Sequence, residues 1–302
     1  MNNRPTRRCP ICGGSPGGLR FPYRTRYDNV DFDYLGCREC ATVFVDPVPA
    51  PSTFAKMYAK SAYHDVHYGN PDSSAYRKSA ELLAKHVPAG SLVLDFGCGA
   101  GSFLAACSEQ AFRPIGVDFD ESAARSAGEF VGCAWASMAD FEAGQPEALF
   151  DVIHLGDVLE HLPDPRQTIS MLLKRLRPGG CLFIEGPLEV NPSPVYWSAR
   201  LFGSLKRLLK PEHVASHPPT HLFRTDARSQ KRFFNRFDGG LTVAEWVVEE
   251  TGWPYRGIGK VKNAIASAAV ALGGRRWLGL EFGNRFKGIF FVAREPAPKV
   301  EA

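Results

Sequence analysis

Four cysteines stand in two pairs, Cys9-Pro10-Ile11-Cys12 and Cys37-Arg38-Glu39-Cys40, with 24 residues between the pairs. Two C-x-x-C knuckles can close four thiolates tetrahedrally on one Zn²⁺. Four protein ligands leave no open position, so the expected role of that metal is structural. A second group is Asp95-Phe96-Gly97-Cys98-Gly99-Ala100-Gly101, with glycines at alternate positions. A loop this bare lets a ligand approach main chain, and a β-carbon at any of the three positions is expected to crowd that approach. The N–H groups of a following helix suit a carboxylate or phosphate. Ser102 stands where the dinucleotide fingerprint has its third glycine. Asp118 lies 17 residues beyond Gly101, where a carboxylate at the next strand tip reaches ribose hydroxyls. Loop and acid together point to an adenosine-containing cofactor. A third group is Glu160-His161 with His213, His217 and His221. A histidine near neutral pKa can take the proton of a hydroxyl, and His161 and His221 are the candidates for that role. Glu160 could orient a histidine or bind a divalent ion, and the residue types leave both open.

These groups need a scaffold. Val30 to Tyr34 alternates and predicts a strand entering the second knuckle, and Thr42 to Val45 predicts another leaving it, the layout of a zinc ribbon. Asp46 to Pro51 is proline-rich and reads as a linker. Tyr58, Tyr63, His64, His67 and Tyr68 either pack the ribbon onto the main domain or form a lid. Ser74 to His86 predicts a helix, Leu92 to Leu94 a buried strand and Ser102 to Gln110 a helix. Pro114 to Val117 predicts the next strand, Glu121 to Glu129 a helix and Cys133 to Ala136 a strand. Phe150 to Leu155 reads as a further strand, Asp164 to Leu176 as a helix with proline in its first turn, and Cys181 to Glu185 as a strand after a Pro178-Gly179-Gly180 turn. Alternating strands and helices imply right-handed crossovers and a parallel sheet.

The order Leu94 to Gly101, Gly116-Val117-Asp118, Asp151 to Pro165 and Leu176-Arg177-Pro178-Gly179-Gly180 resembles the class I S-adenosylmethionine-dependent methyltransferases over roughly residues 75–186. The resemblance implies an α/β, Rossmann-like, mostly parallel seven-stranded sheet with an antiparallel last strand, preceded by the small ribbon. It implies cofactor contacts from Asp95, Gly97, Cys98, Gly99, Gly101, Asp118 and Phe119. Asp140 would accept from the adenine amino group or act as a helix N-cap, Phe141 would pack on the ring, and Leu155 and Gly156 would line the methionine part. The expected organisation is a ribbon at 1–50, a linker and lid or packing segment at 51–73, and a methyltransferase domain at 74–302 with a substrate-cap insertion at about 187–224.

Within the insertion, 195–210 reads as a helix with Trp197, Leu201, Leu205 and Leu208 on one side and Arg200, Arg207 and Lys210 flanking. It either caps the pocket, apolar face inward, or lies on an anionic membrane surface. Later, Asp226 to Phe237 and Asn263 to Leu272 read as helices, Leu241 to Val248 and Gly288 to Ala293 as strands, and Pro296 to Ala302 as a tail. Hydrophobic residues make up 44% and charged residues 23%, so most of the chain should bury a core. A net charge of +4 does not argue for nucleic acid. No apolar run approaches the roughly 18 residues of a membrane span, and the N-terminus lacks a secretory h-region, which gives a cytoplasmic expectation. The leading reading is methyl transfer to a hydroxyl of a sugar, cell-surface glycan, lipid-linked precursor or specialised metabolite. The alternatives are an RNA methyltransferase, with Arg228, Lys231, Arg232, Arg275 and Arg276 on phosphate, and a non-catalytic zinc-ribbon interaction protein.

Overall fold

The structure, a computed structural model, describes residues 6–58, 73–144, 149–210, 214–237 and 240–293. Tyr63, His64, His67, Tyr68, His213 and the segment 296–302 lie outside the described residues. The N-terminal module is an antiparallel ladder of β1 (Pro16–Tyr27), β2 (Val30–Cys37) and β3 (Val43–Asp46). Helix α1 (Pro51–Tyr58) follows the proline run, then a 3₁₀ turn (Ser73–Ala75) and α2 (Arg77–Ala84). The main sheet then builds from β4 (Leu92–Phe96), α3 (Ser102–Glu109), β5 (Arg113–Asp118), α4 (Glu121–Val131), β6 (Ala134–Ser137), α5 (Met138–Ala143) and β7 (Phe150–Gly156). After a 3₁₀ turn (Leu159–His161) come α6 (Pro165–Leu173), β8 (Leu176–Pro187), α7 (Pro194–Leu209), β9 (Ala215–Ser216), β10 (Phe223–Arg224) and α8 (Ala227–Phe234). The chain continues through β11 (Leu241–Glu249), α9 (Gly259–Leu272), β12 (Arg276–Trp277), β13 (Leu280–Glu281) and β14 (Arg285–Val292).

The seven-stranded sheet has the order β11-β14-β8-β7-β4-β5-β6. Strands β4 to β8 pair in parallel, and β14 enters antiparallel between β8 and β11. The expected α/β Rossmann-like architecture is therefore present. Because both faces are covered, the central strands are apolar on both. Val93, Val152, Cys181, Phe183 and Ile289 pack one face against Ala80, Leu83, Phe103 and Ala106. Leu94, Ile153, Leu155, Leu182 and Ile184 pack the other, together with Phe233, Phe234 and three residues of the N-terminal module, Cys9, Ile11 and Phe44.

That module is stitched into the rest of the fold. Its β3 pairs with β10, Phe44 opposite Phe223, and β1 pairs with β9. The Val45 N–H also donates to the Leu222 carbonyl at 2.9 Å. Three local features differ from the sequence expectation. The long β1 went unread, because its Gly17-Gly18 opening and Phe21-Pro22 break the alternation, and its register against β2 shifts twice. The Pro178-Gly179-Gly180 turn lies inside β8, where Phe150 faces Leu176 and Val152 faces Cys181, so residues 177–180 bulge against Asp151. Helix α7 buries only Val195 among its side chains, and Trp197, Leu201, Leu205 and Leu208 are exposed rather than turned onto a pocket. It docks through small residues instead, with Val195 and Ala199 against Ala266 and Ala269 of α9 and Gly203 against Phe21.

Candidate active site

At the carboxyl end of β4 the chain turns through Gly97, Gly99 and Gly101, with φ of +84°, +51° and +87°. Such values are costly for any residue with a β-carbon. The Gly97 and Cys98 N–H groups donate to the Val117 carbonyl at 2.7 and 3.0 Å. Asp118 clamps the same loop, its Oδ2 accepting from the Gly99 N–H and its Oδ1 from the Asp120 N–H, both at 2.9 Å. A β-carbon on Gly97 would lie 2.4 Å from Val158 Cγ2, and one on Gly101 2.9 Å from Ala127 Cβ. At these two positions the chain's own packing also demands glycine, besides the room a ligand would need.

The cleft over the loop is lined by Asp95, residues 97–100, Ser102 and Gly156, and by three residues that sequence reasoning did not place there, Tyr76, Phe103 and His154. Phe119 is exposed beside Asp118, its ring 6.2 Å from that of Phe54 in an edge contact. Two of the expected contact residues turn their side chains into the core. Strand alternation turns His154 and Gly156 toward the cleft and sends Leu155, fully buried, into the opposite core. Phe141 is buried between Phe96 and Phe150 with the Arg175 guanidinium 4.1 Å from its ring centre, so its ring packs within the core. The N-cap of α5 is Ser137 rather than Asp140. Ser137 Oγ accepts from the Asp140 N–H at 3.1 Å and donates to Asp140 Oδ2 at 2.7 Å.

Beneath the cleft a row of charges crosses the sheet. His154 Nδ1 lies 2.7 Å from Asp95 Oδ1, and its Nε2 lies 3.1 Å from Glu185 Oε1. Ser79 Oγ donates to Glu185 Oε2 at 2.9 Å, and Lys287 Nζ is 3.6 Å from the same oxygen. Phe103 stacks on the imidazole at 3.6 Å. Burial pulls His154 down, but the bonds to Asp95 and Glu185 more than reverse this and carry its pKa from 6.5 to about 9. A pKa raised on folding contributes stability that is complete below pH 6.5 and is lost as pH rises through about 9, here ~3 kcal/mol at ~1.4 kcal/mol per unit. The stability gap between the native chain and His154→Gln is thus expected to shrink between pH 7 and 10 in denaturant titrations. A gap constant over that range would mean that His154 is neutral.

A second cluster lies past the end of β7. The Leu222 N–H donates to the Glu160 carbonyl at 2.8 Å and so ties the 3₁₀ turn to the segment carrying His221. His161 and His221 meet edge to face, ring centres 4.9 Å apart. His161 Nδ1 is 2.8 Å from the Thr220 carbonyl oxygen, and the Tyr58 hydroxyl, which donates to that same carbonyl at 2.8 Å, is also 2.8 Å from Nδ1. His221 Nδ1 is 2.8 Å from Glu189 Oε2, and Arg224 Nε is 3.5 Å from the other oxygen of Glu189. Burial drives His161 down to about 3, whereas for His221 the Glu189 carboxylate outweighs burial and raises the pKa. Burial pushes Glu160 up to about 7. The structure thus brings the two candidate histidines together.

The four N-terminal cysteines also converge. Cys9 and Cys40 Sγ are 3.8 Å apart, Cys12 and Cys37 Sγ 3.4 Å, and all four lie within 4.8 Å of one another. The Gly14 N–H points at Cys12 Sγ at 3.4 Å and the Glu39 N–H at Cys37 Sγ at 3.3 Å, bonds that favour thiolates. This donor set fits a tetrahedral Zn²⁺.

A family profile described as a methyltransferase domain matches residues 69–241. Trans-aconitate 2-methyltransferase of Azoarcus sp. (strain BH72) is 34% identical over 140 residues, 42% of this chain and 55% of that protein. A ubiquinone biosynthesis O-methyltransferase of Thiobacillus denitrificans is 33% identical over 104 residues, 32% of this chain and 44% of that protein. The chain spans about half the length of these curated relatives. Among solved structures, the (4+2)-cyclase SpnF matches with a TM-score of 0.53 and 16% identity over 82% of this chain and 98% of that one, a likeness of fold.

Proposed function

The chain belongs to the methyltransferase-domain family, whose profile covers residues 69–241, and from that premise we propose that it transfers a methyl group from S-adenosylmethionine to a hydroxyl of a small acceptor. The acceptor is a sugar, glycan, lipid-linked precursor or specialised metabolite. One observation carries this reading: the glycine loop with Asp118 and the His161–His221 cluster both stand at the carboxyl ends of the parallel strands, where such sheets bind ligands.

The residues present fit this cofactor. Asp118 would take the ribose hydroxyls, the exposed Phe119 ring would cover the adenine, Asp140 would accept from its amino group, and the main chain of 97–101 with Asp95 and Gly156 would hold the amino-acid part. The cofactor supplies a methyl group on a sulfonium, already a good leaving group. What remains for the protein is to align the acceptor and take up its proton, and alignment alone contributes several kcal/mol. The His161–His221 cluster is where that proton is handled. The four cysteines would hold a structural Zn²⁺.

The exposed side of α7 favours a lipid-linked acceptor at an anionic membrane surface. Trp197, Leu201, Phe202, Leu205 and Leu208 are 48–80% exposed beside Arg200, Lys206, Arg207 and Lys210. Among the described residues no helix is long and apolar enough to cross a membrane. An RNA acceptor has less support, since Lys231 and Arg276 both pair with Glu281, which offsets part of that basic charge. The test is calorimetry with S-adenosylmethionine, then sedimentation with phosphatidylglycerol vesicles. One cofactor bound per chain and vesicle binding weakened at least five-fold in the Trp197→Ser/Phe202→Ser double variant are expected. No cofactor heat would overturn methyl transfer; vesicle binding indifferent to the double variant would remove the lipid-linked option alone.

A further inference from the structure

We infer that Glu160, His161 and His221 form a binding site for one first-row divalent cation, separate from the cysteine site. Its proposed role rests on the methyl-transfer reading, but its existence does not.

Three observations converge. One ligating atom each from Glu160, His161 and His221 lies within 4.8 Å of the others. Glu160 is 5% exposed, and its Oε1 is buried with no hydrogen-bond partner among the described residues. A buried carboxylate oxygen left so costs several kcal/mol unless something cationic answers it. His161 Nε2 is 3.9 Å from that oxygen, too far for a hydrogen bond.

The third observation is how the histidines are held. A carbonyl oxygen can only accept, so His161 Nδ1 carries its proton toward Thr220, and Nε2 is the nitrogen on the side of Glu160. Glu189 likewise engages His221 Nδ1, so Nε2 is the nitrogen that would ligate. Metal-binding histidines characteristically donate their second N–H to a carbonyl or carboxylate, which fixes ring and tautomer. Both histidines here have that support, one of each kind. Elements far apart in sequence supply it: Tyr58 from α1, Thr220 and His221 from the insertion, and Glu189 from the segment after β8.

Two imidazoles and one carboxylate suit Mn²⁺, Fe²⁺, Co²⁺ or Zn²⁺ better than Ca²⁺ or Mg²⁺, which prefer oxygen donors. Three protein ligands leave positions open. An acceptor hydroxyl placed there would lose its proton to water more readily, and its oxygen would be fixed for attack on the methyl carbon.

The probe is Mn²⁺, titrated into the full chain carrying one equivalent of Zn²⁺, enough for the thiolates alone, and followed by loss of the free-ion paramagnetic resonance signal. Thiolates hold Zn²⁺ in preference to Mn²⁺, so the cysteine site does not interfere. One Mn²⁺ per chain is expected, with affinity at least ten-fold weaker in Glu160→Gln and in His221→Ala, while S-adenosylmethionine binding in both variants stays within three-fold of the native chain. Retained cofactor binding shows that the variants are folded. Absence of Mn²⁺ binding to the native chain at millimolar concentration would overturn the site, as would binding unchanged in both variants. Failure of the native chain to bind S-adenosylmethionine would instead overturn the methyl-transfer reading and leave the Mn²⁺ result standing.

Discussion

Replacing Asp118 by Ala is expected to weaken S-adenosylmethionine binding by a hundred-fold or more and to lower the melting temperature. The carboxylate is buried and does two things at once. Its Oδ2 and Oδ1 accept from the Gly99 and Asp120 N–H groups at 2.9 Å each, and so hold the bare loop against the neighbouring strand. Hydrogen bonds to a charged group contribute about 1.5–3 kcal/mol each, and truncation leaves both donors unanswered. The stability cost is therefore about 3–6 kcal/mol before relaxation and water entry reduce it. The same side chain is the proposed partner of the ribose hydroxyls, and losing one such contact on a loop that also loosens gives about two orders of magnitude in affinity. Calorimetry and thermal melting of Asp118→Ala and Asp118→Asn check this. Asn keeps one acceptor oxygen and should fall between the native chain and Ala in both measurements. Affinity within three-fold of native in the Ala variant would remove Asp118 from the cofactor site.

How legible was this site beforehand? The loop and Asp118 could be read because local pattern fixes them: an apolar strand, glycines at the turn, an acid at the next strand tip. Caps behave similarly, and Asp164 before Pro165 receives the Gln167 N–H at 2.9 Å where the sequence places a helix start. The row Asp95–His154–Glu185–Lys287 could not be read, since only strand order and register make these residues neighbours. A signal did exist: each is a charged or titratable side chain inside an apolar strand, and burying such a group unpaired is costly. The direction of the Leu155 side chain could not be read either, because a strand's two faces alternate and the resemblance names residues without assigning them to a face. Glu189 escaped notice because its partner His221 is 32 residues away across an irregular insertion. Helix α7 was read correctly as amphipathic, yet periodicity does not say what covers the apolar side.

The largest structural effect is expected from removing the Zn²⁺ proposed for the cysteine site. The N-terminal module is only nominally separate: Cys9, Ile11 and Phe44 sit in the main core, β3 pairs with β10, and Val45 donates to Leu222. Leu222 in turn donates to Glu160, so a continuous backbone path runs from the cysteine knuckles through β3 to the segment bearing His221 and the turn bearing His161. A segment of this length cannot bury enough surface to hold its shape unaided, and structural Zn²⁺ supplies ~10 kcal/mol or more of folding free energy. Stripping the ion with a strong chelator, or replacing Cys37 by Ser, should therefore lower the melting temperature by more than about 10 °C. The functional losses should be unequal. The glycine loop is carried by β4 and β5, which pair with β6 and β7 rather than with the module, so S-adenosylmethionine affinity should change by less than about ten-fold. Methyl transfer should fall by a hundred-fold or more, because the His161–His221 cluster loses the strand that positions it. Zinc content by mass spectrometry, melting, cofactor calorimetry and turnover on the same preparations make the comparison. A zinc-free chain that melts and turns over like the native one would show the module to be ornamental. Equal losses of cofactor affinity and turnover would show that it supports the whole sheet and not the acceptor side in particular.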